Sequence, residues 1–84
     1  MFIYFVQNSH LTDKHGYIEC FHRVYNEYKD AKEYVANYLK ENDITKVNLE
    51  SEDKLNESYY ISYSFDILSF TIKQRFTIKR ERLY

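Results

Sequence analysis

The chain has no proline and no tryptophan, and only one glycine (Gly16), one cysteine (Cys20) and one methionine (Met1) in 84 residues. Each scarcity excludes something. A lone cysteine rules out an intrachain disulfide framework. Small secreted domains commonly depend on such a framework, so a reducing, cytoplasmic compartment is expected. One glycine leaves no room for a glycine-rich phosphate loop or a G-x-S-x-G nucleophile turn. Without proline or glycine clusters there is no linker, and residues 1–84 read as a single domain. Turns must fall on Asn, Asp and Ser, which tolerate turn geometry at some cost. No stretch approaches the ~20 apolar residues of a membrane span. The start, MFIYFVQNSH, lacks the basic region and apolar length of a signal peptide, so a soluble protein with no membrane partner is expected.

What the chain has in excess is aromatic rings: ten Tyr and six Phe. Each brings about 150–250 Å² to a core or an interface, which offsets the thin core of so short a chain. The net charge is −1, unevenly placed. Residues 1–72 hold seven Lys/Arg and twelve Asp/Glu, and residues 73–84 hold five Lys/Arg and one Glu. An acidic body thus ends in a basic tail, which marks either a binding surface or internal charge balance. Phe, Tyr, Met, Ile, Asn and Lys, the residues with A/T-rich codons, total 38, against seven for Gly, Ala, Arg and Pro. That bias fits the genomes of many phages, mobile elements and their low-G+C hosts.

The periodicities predict an α+β fold, an antiparallel sheet of four to five strands packed on one helix in the order ββα(β)ββ. Phe2–Gln7 is apolar on both faces, as a central strand is. Residues 8–16 read as a polar loop closing on Gly16. In the next strand, Tyr17–Tyr25, Ile18, Cys20, His22 and Val24 share one face and Phe21 the other. Tyr28, Ala31, Val35, Tyr38 and Leu39 recur at helical spacing, with Asn26 as N-cap and Asn42 as a left-handed stop. Val47 and Leu49 suggest a short strand, followed by an acidic loop, SEDKLNES. In the last two strands Tyr59, Ile61, Tyr63, Phe65 and Ile67 occupy odd positions, and Phe70, Ile72, Phe76 and Ile78 even ones. A short hairpin loop within FDILSF would bring both rows onto one face.

No set of residues specifies catalysis. His10, His15, Cys20 and His22 with Asp13 resemble zinc donors, but no close Cys pair accompanies them, and an ordinary small cysteine with a rim histidine is preferred to a metal. EYK and DAK imitate the acidic-x-Lys pair of metal-dependent nucleases, yet their charges suit the surface of an amphipathic helix. No enzyme activity and no cofactor are expected.

Two surfaces are candidate binding sites. The first is the basic face of the C-terminal hairpin, with Lys73, Arg75 and Lys79 extended by Arg80 and Arg82, and Tyr60 placed to stack on a base. The second is the acidic loop, Glu50, Glu52, Asp53 and Glu57, flanked by tyrosines expected at the surface (Tyr17, Tyr25, Tyr34, Tyr60, Tyr84). It suits a basic protein partner. A first strand apolar on both faces also suits a homodimer.

FIYFVQ, then a loop, then GYIECFHRVYNEYKDAKEYVANYLKEN and a final strand pair resembles small phage-type or prophage-type ββαβ(β) accessory proteins. The shared element is a strand running into a helix that carries Ala31 and Tyr34. The resemblance implies accessory roles, such as inhibiting a host defence or nucleic-acid-processing enzyme in an anti-CRISPR-like way from the host cytoplasm. It carries no functional residues over. The expected function is therefore a non-enzymatic protein-binding module with a host protein as partner. Single-stranded RNA or DNA binding is the alternative, and a metal-dependent nuclease a further one.

Overall fold

The computed structural model describes residues 1–83 and shows an α+β fold. Its elements are β1 (Phe2–Thr12), β2 (Gly16–Tyr25), α1 (Tyr28–Glu41), β3 (Val47–Asp53), β4 (Ser58–Ile67) and β5 (Phe70–Arg82). All five strands form one sheet in the order β2-β1-β5-β4-β3, with every neighbouring pair antiparallel. Four reversals make the two edge strands, β2 and β3, parallel to each other. Parallel strands need a crossover. Here α1 supplies it, passing from one edge to the other over β1 and β5. No helix among the described residues is long and apolar enough to cross a membrane.

The C-terminal hairpin forms as its phase requires. Ile67 pairs with Phe70 around the two-residue loop Leu68–Ser69, and Ile61 then faces Phe76 and Tyr59 faces Ile78. β1 is internal, as expected of a strand apolar on both faces, but β5 is the middle strand. β1 also runs on to Thr12, through residues expected to form a loop. Asn8 occupies that extension and is fully buried, its Nδ2 donating to Tyr63 Oη at 2.8 Å. Tyr63 Oη donates in turn to Gln74 Oε1 at 2.6 Å, so a polar chain crosses three strands inside the core.

Under the helix the buried side chains are Tyr4, Val6, Ile61, Tyr63, Phe76 and Ile78 from the sheet and Ala31 and Val35 from α1. Phe76 is the hub. The rings of Phe21, Tyr34, Tyr38 and Tyr63 stand 6.2, 6.5, 5.1 and 5.8 Å from it, centroid to centroid. These separations lie in the range where aromatic pairs attract beyond their buried area. Phe21 reaches this cluster because the ladder slips between Asn8 and Ser9, which inserts Cys20 as an extra residue. The slip corrects the simple alternation: Phe21 and Tyr25 join the core side, and Tyr17 and Glu19 move to the opposite face. Tyr25 and Tyr34 are likewise packed against the core at half-burial, not displayed, while Tyr84 lies outside the described residues.

The helix ends depart from expectation as well. Its first cap is Glu27, in extended geometry and with no side-chain cap bond, and not Asn26. At the other end Asn42 has φ −99°, and the left-handed residue is Asp43, at φ 55°. Asp43 N donates to Lys40 O at 3.2 Å and Ile44 N to Leu39 O at 2.9 Å, the two reverse bonds of a Schellman stop. Glycine normally occupies that position, because a Cβ is strained there. In a chain with one glycine the strain falls on Asp43, Glu57 and Leu68, all at positive φ.

Two outcomes are expected. Asp43→Gly raises the unfolding free energy by about 0.5–1 kcal/mol, read from the denaturation midpoint at unchanged m-value. Burial, reinforced for Tyr4 and Tyr28 by hydrogen bonds to Glu57 and Glu52, holds the Tyr4, Tyr25, Tyr28, Tyr38 and Tyr63 phenols above their ordinary value of 10.0. The unfolded chain then loses these protons first. Stability is full below pH 10 and falls as the pH rises toward the raised values. Tyrosinate absorbance should therefore rise together with cooperative unfolding, measured in an alkaline titration.

Candidate binding surfaces of the sheet

The helix covers one side of the sheet and leaves the other open. On the open side the central strand β5 presents Lys73, Arg75, Thr77 and Lys79, flanked in register by Ser64, Ser62 and Tyr60 of β4 and by Ser9, Gln7 and Phe5 of β1. Lys73 and Lys79 are exposed, Tyr60 is half-buried, and Thr77 is buried between its neighbours. No carboxylate pairs with Lys73, Arg75 or Lys79 among the described residues. Arg75 instead lies over Tyr17, its guanidinium carbon 4.0 Å from the ring centroid. Its Nε is buried without a hydrogen-bond partner. Beside this stack lies a groove of about 490 Å³ lined by Tyr17, Lys46, Asn48, Ser62, Ser64 and Lys73.

Arg80 and Arg82 do not extend this face. They share the parity of Phe76 and Ile78 and so belong to the helix side, where Arg80 pairs with Tyr4 and Arg82 with Phe2. The Arg80 guanidinium sits 4.2 Å from the Phe2 ring centroid and 3.4 Å from Glu57 Oε1. The basic tail is thus split by the strand's alternation, and Arg80 balances a carboxylate within the fold.

The acidic segment is spent in the same way. β3 runs to Asp53, so the expected loop shrinks to a turn at 54–57. Glu52 accepts from Lys32 Nζ at 2.6 Å and Tyr28 Oη at 3.2 Å. The Lys32 bond, helped by that of Tyr28, holds its carboxyl below the usual value. Asp53 caps the turn, accepting from Asn56 Nδ2 at 2.7 Å and from the Leu55 and Asn56 backbone amides, which lower its carboxyl too. Glu57 accepts from Tyr4 Oη at 2.7 Å. Glu50 alone of the four stands exposed with no such bond, in the irregular step of the β3–β4 ladder. This segment ties β3 to α1 and β1, and it does not form a free acidic patch.

The histidine and cysteine candidates do not converge. His10 lies on the helix side, His22 on the open side beside Glu19, and His15 in the β1–β2 turn. Among the described residues no group of three or more His, Cys, Asp or Glu could hold a metal ion. Of the nuclease-like pairs, Lys29 lies 3.6 Å from Glu27, and Lys32 is committed to Glu52.

A third surface went unmarked by charge or motif. At the tip of the β4–β5 hairpin Ile67, Leu68 and Phe70 are 53%, 94% and 68% exposed. Leu68 holds a φ of 57°, in the left-handed region that a leucine avoids. The sequence signal available for it was the absence of Gly, Asn or Asp from a required two-residue turn.

Comparison with protein families, with curated proteins and with solved structures finds no match to this chain. The class is therefore that of its own architecture: a ββαβββ sheet with one face under a helix and the other open.

The open-face lysines carry no structural bond, so Lys73→Gln and Lys79→Gln should each change stability by no more than about 0.5 kcal/mol. Phe76→Ala should cost about 3–5 kcal/mol. Urea denaturation of the three variants checks the contrast.

Proposed function

We propose that this chain is a small non-enzymatic protein-binding module, of the kind by which a phage or other mobile element inhibits or modulates a host defence or nucleic-acid-processing enzyme in the host cytoplasm. The observation that carries the reading is the hairpin tip. Three adjoining apolar side chains stand in water there, and one of them occupies a strained backbone conformation. Single exposed apolar residues need no explanation, but a contiguous group does. Backbone strain that persists points toward use at a site. Glycine at position 68 would relieve the strain, so Leu68 keeps a backbone cost while displaying an isobutyl group in water. Seating Leu68 and Phe70 in a partner's pocket recovers about 1.5–3 kcal/mol for each side chain fully buried.

The A/T-rich composition and the accessory-protein resemblance support the mobile-element setting. Self-association is the competing use of the same apolar surface, and light scattering separates the two.

The test compares wild type with Leu68→Gly and Phe70→Ser as bait in host lysate, alongside a divalent-metal nuclease assay. Wild type should retain one specific protein that both variants lose. Leu68→Gly should meanwhile be more stable than wild type by about 1 kcal/mol. Equal capture by all three proteins would contradict the reading, as would metal-dependent cleavage by the purified chain. A wild-type dimer that Phe70→Ser converts to monomer would replace the host partner with a second copy.

A further inference from the structure

On the face opposite the helix, we infer that the groove between Tyr17 and Lys73 seats a phosphate-bearing nucleotide unit of a single strand, with β5 as its electrostatic track. Four observations converge. First, the nine residues lining the groove include two lysines, an asparagine, three Ser/Thr hydroxyls and the Tyr17 ring, and no carboxylate. That set complements an anion carried beside a flat, apolar ring. Its volume of about 490 Å³ falls within the range of small-ligand sites.

Second, Lys73, Arg75 and Lys79 face the same side of β5 with no ion-pair partner among the described residues. Lys29, Lys32 and Arg80 are matched to carboxylates, whereas Lys73, Arg75 and Lys79 gather unpaired along one face of a single strand. Two acidic residues of this face are engaged already: Glu19 accepts from Gln7 Nε2 at 3.0 Å, and Asp66 from Thr71 Oγ1 at 2.8 Å. Glu81, two positions beyond Lys79, stands at the end of β5 away from the groove. Unmatched cations in a chain of net charge −1 select an anion that the chain does not supply.

Third, Arg75 lies over the Tyr17 ring, its guanidinium carbon 4.0 Å from the centroid. Its guanidinium makes no hydrogen bond or ion pair among the described residues, which leaves its terminal nitrogens for an acceptor. Guanidinium planes and aromatic rings are the surfaces on which unstacked bases rest.

Fourth, alternate residues on a strand are about 6.8 Å apart. Lys73 and Arg75 are therefore spaced to meet successive phosphates of an extended strand. An open sheet with aromatic and cationic side chains reads such a strand, because its bases are free to stack, while a duplex hides them. Tyr60, beside Thr77 in the middle of the face, provides a second ring along the track.

Fluorescence anisotropy with labelled oligo(dT) and oligo(U), an equal-length duplex and a poly-glutamate peptide tests the inference. Wild type should bind the single strands with micromolar affinity and the duplex at least tenfold more weakly. For three phosphate contacts, affinity should fall roughly tenfold when the salt concentration is tripled. Lys46→Gln/Lys73→Gln, both at exposed positions, should lose most of the binding while keeping the wild-type circular dichroism spectrum. Arg75→Lys, which keeps charge and loses the planar stack, should weaken binding by severalfold, and Leu68→Gly should leave it unchanged. Absence of oligonucleotide binding at about 100 μM overturns the inference. So does binding that the double variant retains, or preference for the duplex or for poly-glutamate.

Discussion

Everything in this fold hangs on Phe76. It lies in the middle strand, has no exposed surface, and touches rings from β2, α1 and β4. Those rings anchor the one helix to the sheet and, through Phe21 and Tyr63, join both sides of β5 to a common centre. The aromatic excess of the sequence is thus largely consumed inside. A chain that cannot build a large aliphatic core uses big, directional side chains to reach across layers. Their hydroxyls are tied down where they are buried: Tyr4 to Glu57, Tyr28 to Glu52, Tyr63 between Asn8 and Gln74.

The cluster also limits the fold. A helix of 14 residues is about 21 Å long, and a strand of 13 residues about 43 Å. One helix therefore cannot roof this sheet. The roofed part holds the core, and the rest holds the surfaces available to partners: the bare hairpin tip beyond the helix and the cationic open face beneath it. Scarcity of glycine sharpens the division. Left-handed positions fall on residues that pay in strain, and at Leu68 no hydrogen bond or packing inside the chain compensates.

The legible parts of the sequence were those governed by period. The odd-to-even phase change between Ile67 and Phe70 located a short turn within FDILSF without glycine, and the Ala31–Val35 stripe located the helix. Illegible were the events that break a period. The extra residue at Cys20 sends Phe21 inward and Tyr17 outward, and nothing local announces it, since bulges answer to the whole sheet's twist and packing. Partner choice was equally hidden. Glu52, Asp53 and Glu57 look like a solvated acidic run until the β2–α1–β3 crossover brings Lys32 to Glu52, the turn closes Asn56 onto Asp53, and β5 brings Arg80 to Glu57. The split of Arg80 and Arg82 from Lys79 was readable from alternation alone, since both share the parity of Ile78. By contrast, Tyr17 and Lys46, far apart along the chain, emerge as neighbours of Lys73 only in the folded sheet.

Residue-resolved hydrogen exchange measures this division directly. If the ring cluster under the helix carries the stability, β5 amides from Phe76 to Ile78 should exchange only through global unfolding. Those from Phe70 to Ile72 should open at a free energy several kcal/mol lower, despite lying on the same strand and in the same ladder. Uniform protection along β5 from Phe70 to Ile78 would show that the sheet is stabilised without the helix, and that the bare hairpin tip is no less a part of the core than Phe76.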